Sequence, residues 1–235
     1  MKHKIRAVFF DIDDTLYSTT DFARLARMNA AKAMSKLGLK WPAKKIYAEL
    51  MEVIQEFSSN YEHHFEKLIL RIPVKYRRDI NPAILISSAV MAYHHTKFTH
   101  LKPFPDVMPF LKFLKQRNII RGIITEGLEV KQAEKLLRLG IYGRLSPNAI
   151  FISDQIGISK PNVKLYLRAM QSISIPADRV MYIGNNPATD IDPANAAGMI
   201  TVKINRGGKY AKIVGQTSPA YTIKSLKELR NRGIF

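Results

Sequence analysis

Cysteine is absent from the 235 residues. Its absence excludes a thiol nucleophile, a disulfide framework and Cys-ligated zinc. No uninterrupted apolar stretch approaches the roughly 18 residues that a membrane span requires. The basic start, Met1-Lys2-His3-Lys4-Ile5-Arg6, leads into an apolar run that ends at Asp11. That run is too short for a secretory signal, so a cytoplasmic protein with no membrane partner is expected. Acidic residues are scarce, 19 against 37 Lys and Arg, which gives a formal charge of +18. A field of that sign favours encounter with anions, from phosphorylated metabolites to nucleic acid. The excess is dispersed, however. Residues 17–98 hold 13 basic and 7 acidic side chains, and residues 201–235 hold eight basic ones with Glu228 alone acidic. Nucleic-acid surfaces usually interleave exposed aromatics with their cations, and no such stripe is present, so nucleic acid is not the expected partner.

What is present is a globular composition with 46% hydrophobic residues, enough for one core or for a core with an inserted module. Residues 5–10 form a β-branched and aromatic run without alternation, the pattern of a strand buried on both faces. From about residue 19 the spacing turns helical. One stripe runs from Phe22 to Leu37, with Gly38 as its stop, and others lie within 46–57, 61–69 and 84–93. No strand pattern interrupts them. Strand and helix then alternate: strands over 119–124, 149–153, 180–183 and 201–204, helices over 107–114, 130–139, 162–170 and 191–197. Repeated βα units predict an α/β, Rossmann-like, doubly wound parallel sheet. Residues 1–16 and 99–235 would form this core, and 17–98 an inserted helical bundle.

Ligands of such sheets bind at the carboxyl ends of strands. There the sequence places Asp11 and Asp13 after the first strand and Thr125 after the second. Lys160 precedes a helix, and Asn185 and Asp190 follow the fourth strand. Two carboxylates, a hydroxyl, an ammonium and an oxygen pair fit for a hard cation suit phosphoryl transfer, which needs positioning and charge neutralisation above all.

The series Asp11-Ile12-Asp13-Asp14-Thr15, Thr125-Glu126-Gly127, Lys160-Pro161 and Gly184-Asn185 with Asp190 resembles the four motifs of the haloacid dehalogenase superfamily. The resemblance spans nearly the whole chain and includes a C1-type helical cap. It implies a magnesium-dependent phosphatase that acts through an aspartyl-phosphate on small phosphorylated substrates, as a monomer or homodimer. Asp11 would be the nucleophile and Asp13 the general acid and base. Lys160 would offset negative charge. Thr125 and the amides that follow it would bind phosphoryl oxygens, with Ile12, Glu126 and Gly127 in the substrate-binding set. Mg²⁺ would take Asp11, the Asp13 carbonyl, Asn185 and Asp190.

Three positions depart from the family pattern: Glu126 and Asn162, where other residues are frequent, and Asn185, where Asp is usual. Asn retains a carbonyl oxygen but removes a charge, so weaker Mg²⁺ binding is expected, with Asp190, Asp192 or Asn186 as candidates to compensate. Asp13 argues against dehalogenase chemistry, which needs no leaving-group acid. Two alternatives remain beside the phosphatase: a phosphomutase using the same intermediate, and a degenerate scaffold that binds an acidic partner or nucleic acid. His63-His64, His94-His95 and His100 read as core or substrate-contact residues rather than a second metal site. Arg206-Gly207-Gly208-Lys209 lacks phosphate-loop spacing and reads as a turn. Cap residues Tyr17, Phe22, Tyr61, His64 and Lys97 are candidates for leaving-group specificity.

Overall fold

Buried runs of branched and aromatic side chains build the sheet. The computed structural model describes residues 4–58 and 60–235; the first three residues of the basic start lie outside that range. Six strands pair in parallel: β1 (Ala7–Phe10), β2 (Ile120–Thr125), β3 (Ile150–Ile152), β4 (Val180–Gly184), β5 (Ile200–Ile204) and β6 (Tyr221–Ile223). The sequence pattern predicts the first five. The sixth has three residues at the sheet edge and only Ile223 buried, which is too little apolar density to read as a strand.

The spatial order is β3-β2-β1-β4-β5-β6. Every residue of β1 and β4 is buried, as expected of central strands covered on both faces. The winding direction reverses between these two strands, and the ends of the loops that leave them open a crevice there. Asp11 and Asn185 are the first residues beyond β1 and β4, so the fold sets them side by side at the switch point.

Residues 20–101 form a compact unit of their own. It contains α1 (Thr19–Lys36), which starts at the boundary, α2 (Ala43–Phe57), α3 (His64–Arg71), the single turn α4 (Val74–Arg77) and α5 (Pro82–His100). Its core joins Ala30, Met34, Ile46, Leu50, Leu68, Leu85 and Ala89. Asn81 caps α5 through its side chain, with Pro82 in the first turn where no amide bond is lost. Helix α5 is longer than the 84–93 stripe because His94, His95 and Lys97 carry it on as a polar face.

The other unit comprises the chain up to Thr19 together with Lys102–Phe235. Around its sheet lie α6 (Val107–Gln116), α7 (Glu129–Arg138), α8 (Ser153–Ile156), α9 (Val163–Ile173), α10 (Asp192–Ala196) and α11 (Leu226–Arg230). Arg206 is one of its anchors rather than part of a phosphate loop. Its guanidinium meets both oxygens of Asp106, at 2.9 and 3.0 Å, and its Nε donates to the Thr15 carbonyl at 3.0 Å. Asp106 also accepts from Ser225 Oγ and from the Leu226 amide at the start of α11. Burial raises the Asp106 carboxyl, but Arg206, Ser225 and the Leu226 amide outweigh it and hold the group below the ordinary carboxylate range. A depressed carboxyl contributes stability that is present above its unfolded value, near 4, and is lost as pH falls through its folded value. Asp106→Asn is therefore expected to lower stability at pH 7 by about 3 kcal/mol. It is also expected to flatten the acid limb of unfolding below about pH 4, read by denaturant titration at several pH values.

Candidate active site

The turn that leaves β1 brings its acids together. The Asp11 amide continues the sheet by donating to the Ile183 carbonyl at 2.9 Å. The Thr15 and Leu16 amides then fold back to the Ile12 carbonyl, and Asp14 adopts a left-handed φ of 52°. This bend leaves Asp11 and Asp13 two residues apart on one tight turn. Asp11 is 7% exposed.

Lys160 crosses to Asp11 from the loop before α9. Its Nζ is 2.8 Å from Asp11 Oδ1, 2.7 Å from Asp190 Oδ1 and 2.7 Å from the Tyr182 hydroxyl. Three acceptors match the three protons of an ammonium. Tyr182, in the middle of β4, is a core aromatic by pattern, yet its hydroxyl reaches the Ile124 carbonyl at 3.0 Å and Asp190 Oδ1 at 3.1 Å. Burial pushes the Asp11 carboxyl up to about 7; Lys160 pulls it down, while Asp190 and Asp13 push it further up. The Lys160 ammonium loses solvation by burial, but Asp11 and Asp190 outweigh that loss and raise it well above its ordinary value. It therefore stays charged at neutral pH.

Asp190 sits on a wide π-type turn, Pro187–Ile191, that opens from β4. Its Oδ2 accepts from the Asn185 and Asn186 amides at 3.0 and 2.9 Å, and its Oδ1 is held by Lys160 and Tyr182. Gly184 permits this approach: a Cβ there would lie 2.5 Å from the Asp190 carboxylate carbon. Both oxygens thus accept from the protein, and Asp190 holds Lys160, Tyr182 and two backbone amides together. The two candidates to compensate are also occupied. Asp192 accepts from the Gln216 and Thr217 amides and the Thr217 hydroxyl, and Asn186 caps Ala188.

A hard divalent cation nevertheless fits the remaining donors. Lys160 takes only one oxygen of Asp11. The Asn185 side chain, 7% exposed, makes no hydrogen bond among the described residues. A carboxylate oxygen and an amide oxygen at the switch point, with the nearby Asp13 carbonyl, are the oxygen chemistry that Mg²⁺ takes. Among the described residues no group of three His, Asp or Glu is gathered to hold a metal ion, the histidines included. His63 pairs with Glu66, and His64 bonds the Ser58 carbonyl.

Asp13 lies in a separate nest. Its Oδ1 accepts from the hydroxyls of Tyr17 and Thr19, each at 2.7 Å, and Lys135 Nζ stands 2.8 and 2.7 Å from its two oxygens. Burial raises the Asp13 carboxyl, but Lys135, Tyr17 and Thr19 prevail and hold it low. Tyr17 and Thr19 belong to the same unit as Asp13, so Tyr17, 2% exposed, serves this turn rather than the helical unit.

The turn after β2 is built by a residue that no motif marks. The Thr125 hydroxyl reaches Gln132 Oε1 at 3.4 Å, and Gln132 Nε2 donates to the Glu126 carbonyl at 2.8 Å. Gly127, at φ 137°, leaves room for that amide, where a Cβ would collide with it. The Gly127 amide donates to Ser153 Oγ at 3.0 Å. The Glu126 side chain is exposed and accepts from Ser159, and Asn162 caps α9 through the Lys164 amide. Gln132, Lys135 and Tyr182 carry no motif signature. Gln132 and Lys135 share a helical spacing three apart, and Tyr182 lies in an apolar run.

Known proteins match this architecture along its length. The family description of haloacid dehalogenase-like hydrolases fits residues 5–198. A glyceraldehyde 3-phosphate phosphatase of Methanopyrus kandleri is 44% identical over 88% of this chain and 86% of its own. The protein of that name from Methanocaldococcus jannaschii is 35% identical over 96% and 95%. Among solved structures, a HAD phosphatase from Thermococcus onnurineus superposes with a TM-score of 0.66 at 22% identity, covering 96% of each chain. A 2-haloacid dehalogenase from Pseudomonas syringae does so at 0.60 with 23% identity and 96% coverage of each. At those identities the two structures speak for the fold.

Proposed function

We propose a reaction from one premise: the chain belongs to the haloacid dehalogenase-like hydrolases, and it is a phosphoric monoester hydrolase. The reading is hydrolysis of a small phosphorylated metabolite in two displacements. The substrate dianion beside Asp13 offsets the Lys135 charge that holds this carboxyl low, and Asp13 takes up a proton as the complex forms. An Asp11 oxygen then attacks phosphorus, the bond to the leaving oxygen breaks, and the Asp13 proton passes to that oxygen. Water then attacks the aspartyl-phosphate, Asp13 takes its proton, and Asp11 and inorganic phosphate are released. Lys160 neutralises Asp11 between steps, and Asp190 with Tyr182 holds Lys160 in place. Mg²⁺, held by Asp11, the Asp13 carbonyl and Asn185, would supply the positive charge that phosphoryl transfer requires.

The observation that carries this reading is the buried Asp11–Lys160–Asp190 network at the switch point, with Asp13 two residues away. The relatives' names support glyceraldehyde 3-phosphate as the substrate. Asp13 favours hydrolysis over the dehalogenation that the same fold supports elsewhere. The test is release of phosphate from glyceraldehyde 3-phosphate and from an aryl phosphate, with and without Mg²⁺. Magnesium-dependent release from both supports the reading. No release from either, by folded protein at saturating metal, overturns it.

Asn185 supplies a second measurement. Asn185→Asp adds a full charge within reach of the cation, worth on the order of 1–4 kcal/mol at such distances. The Mg²⁺ concentration for half-maximal activity is expected to fall about tenfold or more. An unchanged value would remove Asn185 from the ligand set.

A further inference from the structure

Lys135 carries out no step of the reaction above, yet it makes a two-point contact with the group proposed as acid and base. It stands on α7, 122 positions away in sequence, with its Nζ 2.8 Å from Asp13 Oδ1 and 2.7 Å from Oδ2. The two side chains retain 18% and 34% of their exposure. Lys160 cannot share the task, since its three protons go to Asp11, Tyr182 and Asp190. The two oxygens of Asp13 also differ. Among the described residues, Oδ1 accepts from Tyr17, Thr19 and Lys135, whereas Oδ2 accepts from Lys135 alone. Among the described residues only Oδ2 has a lone pair left, and that is the place for the proton that goes to the leaving oxygen.

We propose that Lys135 is a positioning residue that clamps the Asp13 carboxylate by both oxygens, so that Oδ2 faces the leaving oxygen when substrate binds. The inference rests on the phosphohydrolase reading. An unclamped aspartate samples rotamers that turn away from the phosphoryl group, and a misplacement of about 1 Å can cost on the order of 10² in rate. The clamp also fixes the plane of the carboxylate, which Tyr17 and Thr19, both on Oδ1, do not.

The reaction itself offers a readout that general destabilisation would not move. An alkoxide leaves only with a proton, whereas a nitrophenolate leaves without one. With kcat/KM, which reports steps up to departure of the leaving group, Lys135→Met is expected to lose about 10²-fold on an alkyl phosphate. On p-nitrophenyl phosphate the loss should stay below about fivefold. Lys135→Arg, whose fork also spans a carboxylate, should recover most of the alkyl rate. Equal losses on both substrates would overturn the proposal.

A double-mutant cycle of Lys135→Met with Asp13→Asn, read by denaturant unfolding of metal-free protein, tests the clamp without turnover. A coupling of about fivefold or more in the unfolding constant is expected; strict additivity overturns the clamp whatever the activity. Wild-type protein that hydrolyses neither phosphate while the coupling is intact would instead overturn the hydrolase reading, and with it the catalytic half of this proposal.

Discussion

Asp11→Asn is expected to lose magnesium-dependent phosphate release by a factor on the order of 10⁴ to 10⁶, the scale seen when an enzyme loses its nucleophile. An amide has nearly the shape of the carboxylate but does not attack phosphorus, so no covalent intermediate forms. The substitution should not unfold the protein. Lys160 keeps two of its three partners, Asp190 and Tyr182. Stability and activity should even move in opposite directions. Burial raises the Asp11 carboxyl above its unfolded value, to about 7. A raised carboxyl contributes stability that is fully present below the unfolded value and is lost as pH rises through the folded one. In metal-free protein the wild type should therefore lose ground to Asp11→Asn between about pH 4 and 8. Denaturant titrations in chelator at both ends of that range, beside the activity assay, measure it. A variant that retains even about 1% of turnover would remove Asp11 as the nucleophile. Turnover lost with stability gained would make Asp11 one more residue at which a protein gives up stability for function.

The parts of this site that the sequence made legible share one property: each sits at the end of a buried strand or the start of a helix. Asp11, Thr125 and Asn185 each close an apolar run, and a parallel sheet brings such ends to one edge whatever lies between. The parts that stayed hidden lie inside regular elements, where pattern has a simpler explanation. Tyr182 reads as one more apolar residue of β4, and only the hydroxyl's contacts with Lys160 and Asp190 show its second role. Lys135 occurs in α7 among other charged residues, where a solvated lysine is the ordinary expectation, and its partner is set by tertiary packing alone. Arg206 looked like part of a glycine turn because its partners, Asp106 and Thr15, are 100 and 191 positions away. Asp190 shows the reverse case. Its spacing points to a ligand, and the structure adds four protein donors around the carboxylate that spacing does not reveal.

Lys160→Met is expected to cost both activity and stability, because this ammonium is the shared counter-charge of two buried carboxylates. Asp11 and Asp190 each lie within 2.8 Å of its Nζ, and the lysine side chain is 2% exposed. Without it the two acids face each other in a poorly solvated pocket with no counter-charge between them. Removing one partner of a buried ion pair costs about 3–5 kcal/mol, and that loss is expected at pH 8. As pH falls the raised Asp11 carboxyl takes up a proton and the repulsion fades, so the gap to the wild type should narrow towards pH 4. Asp11 would by then be protonated and unable to attack, so acid restores the fold without restoring turnover. Lys160→Arg separates charge from shape. It keeps the positive charge, yet a planar fork cannot place one atom among three converging acceptors. Its stability should lie between wild type and Lys160→Met, with turnover down by about 10² or more. Denaturant unfolding at pH 4, 6 and 8 and phosphate release at each pH check both variants. If Lys160→Met were as stable at pH 8 as at pH 4, Lys160 would not be the counter-charge of these two acids, and the charge balance assigned to the site would fail.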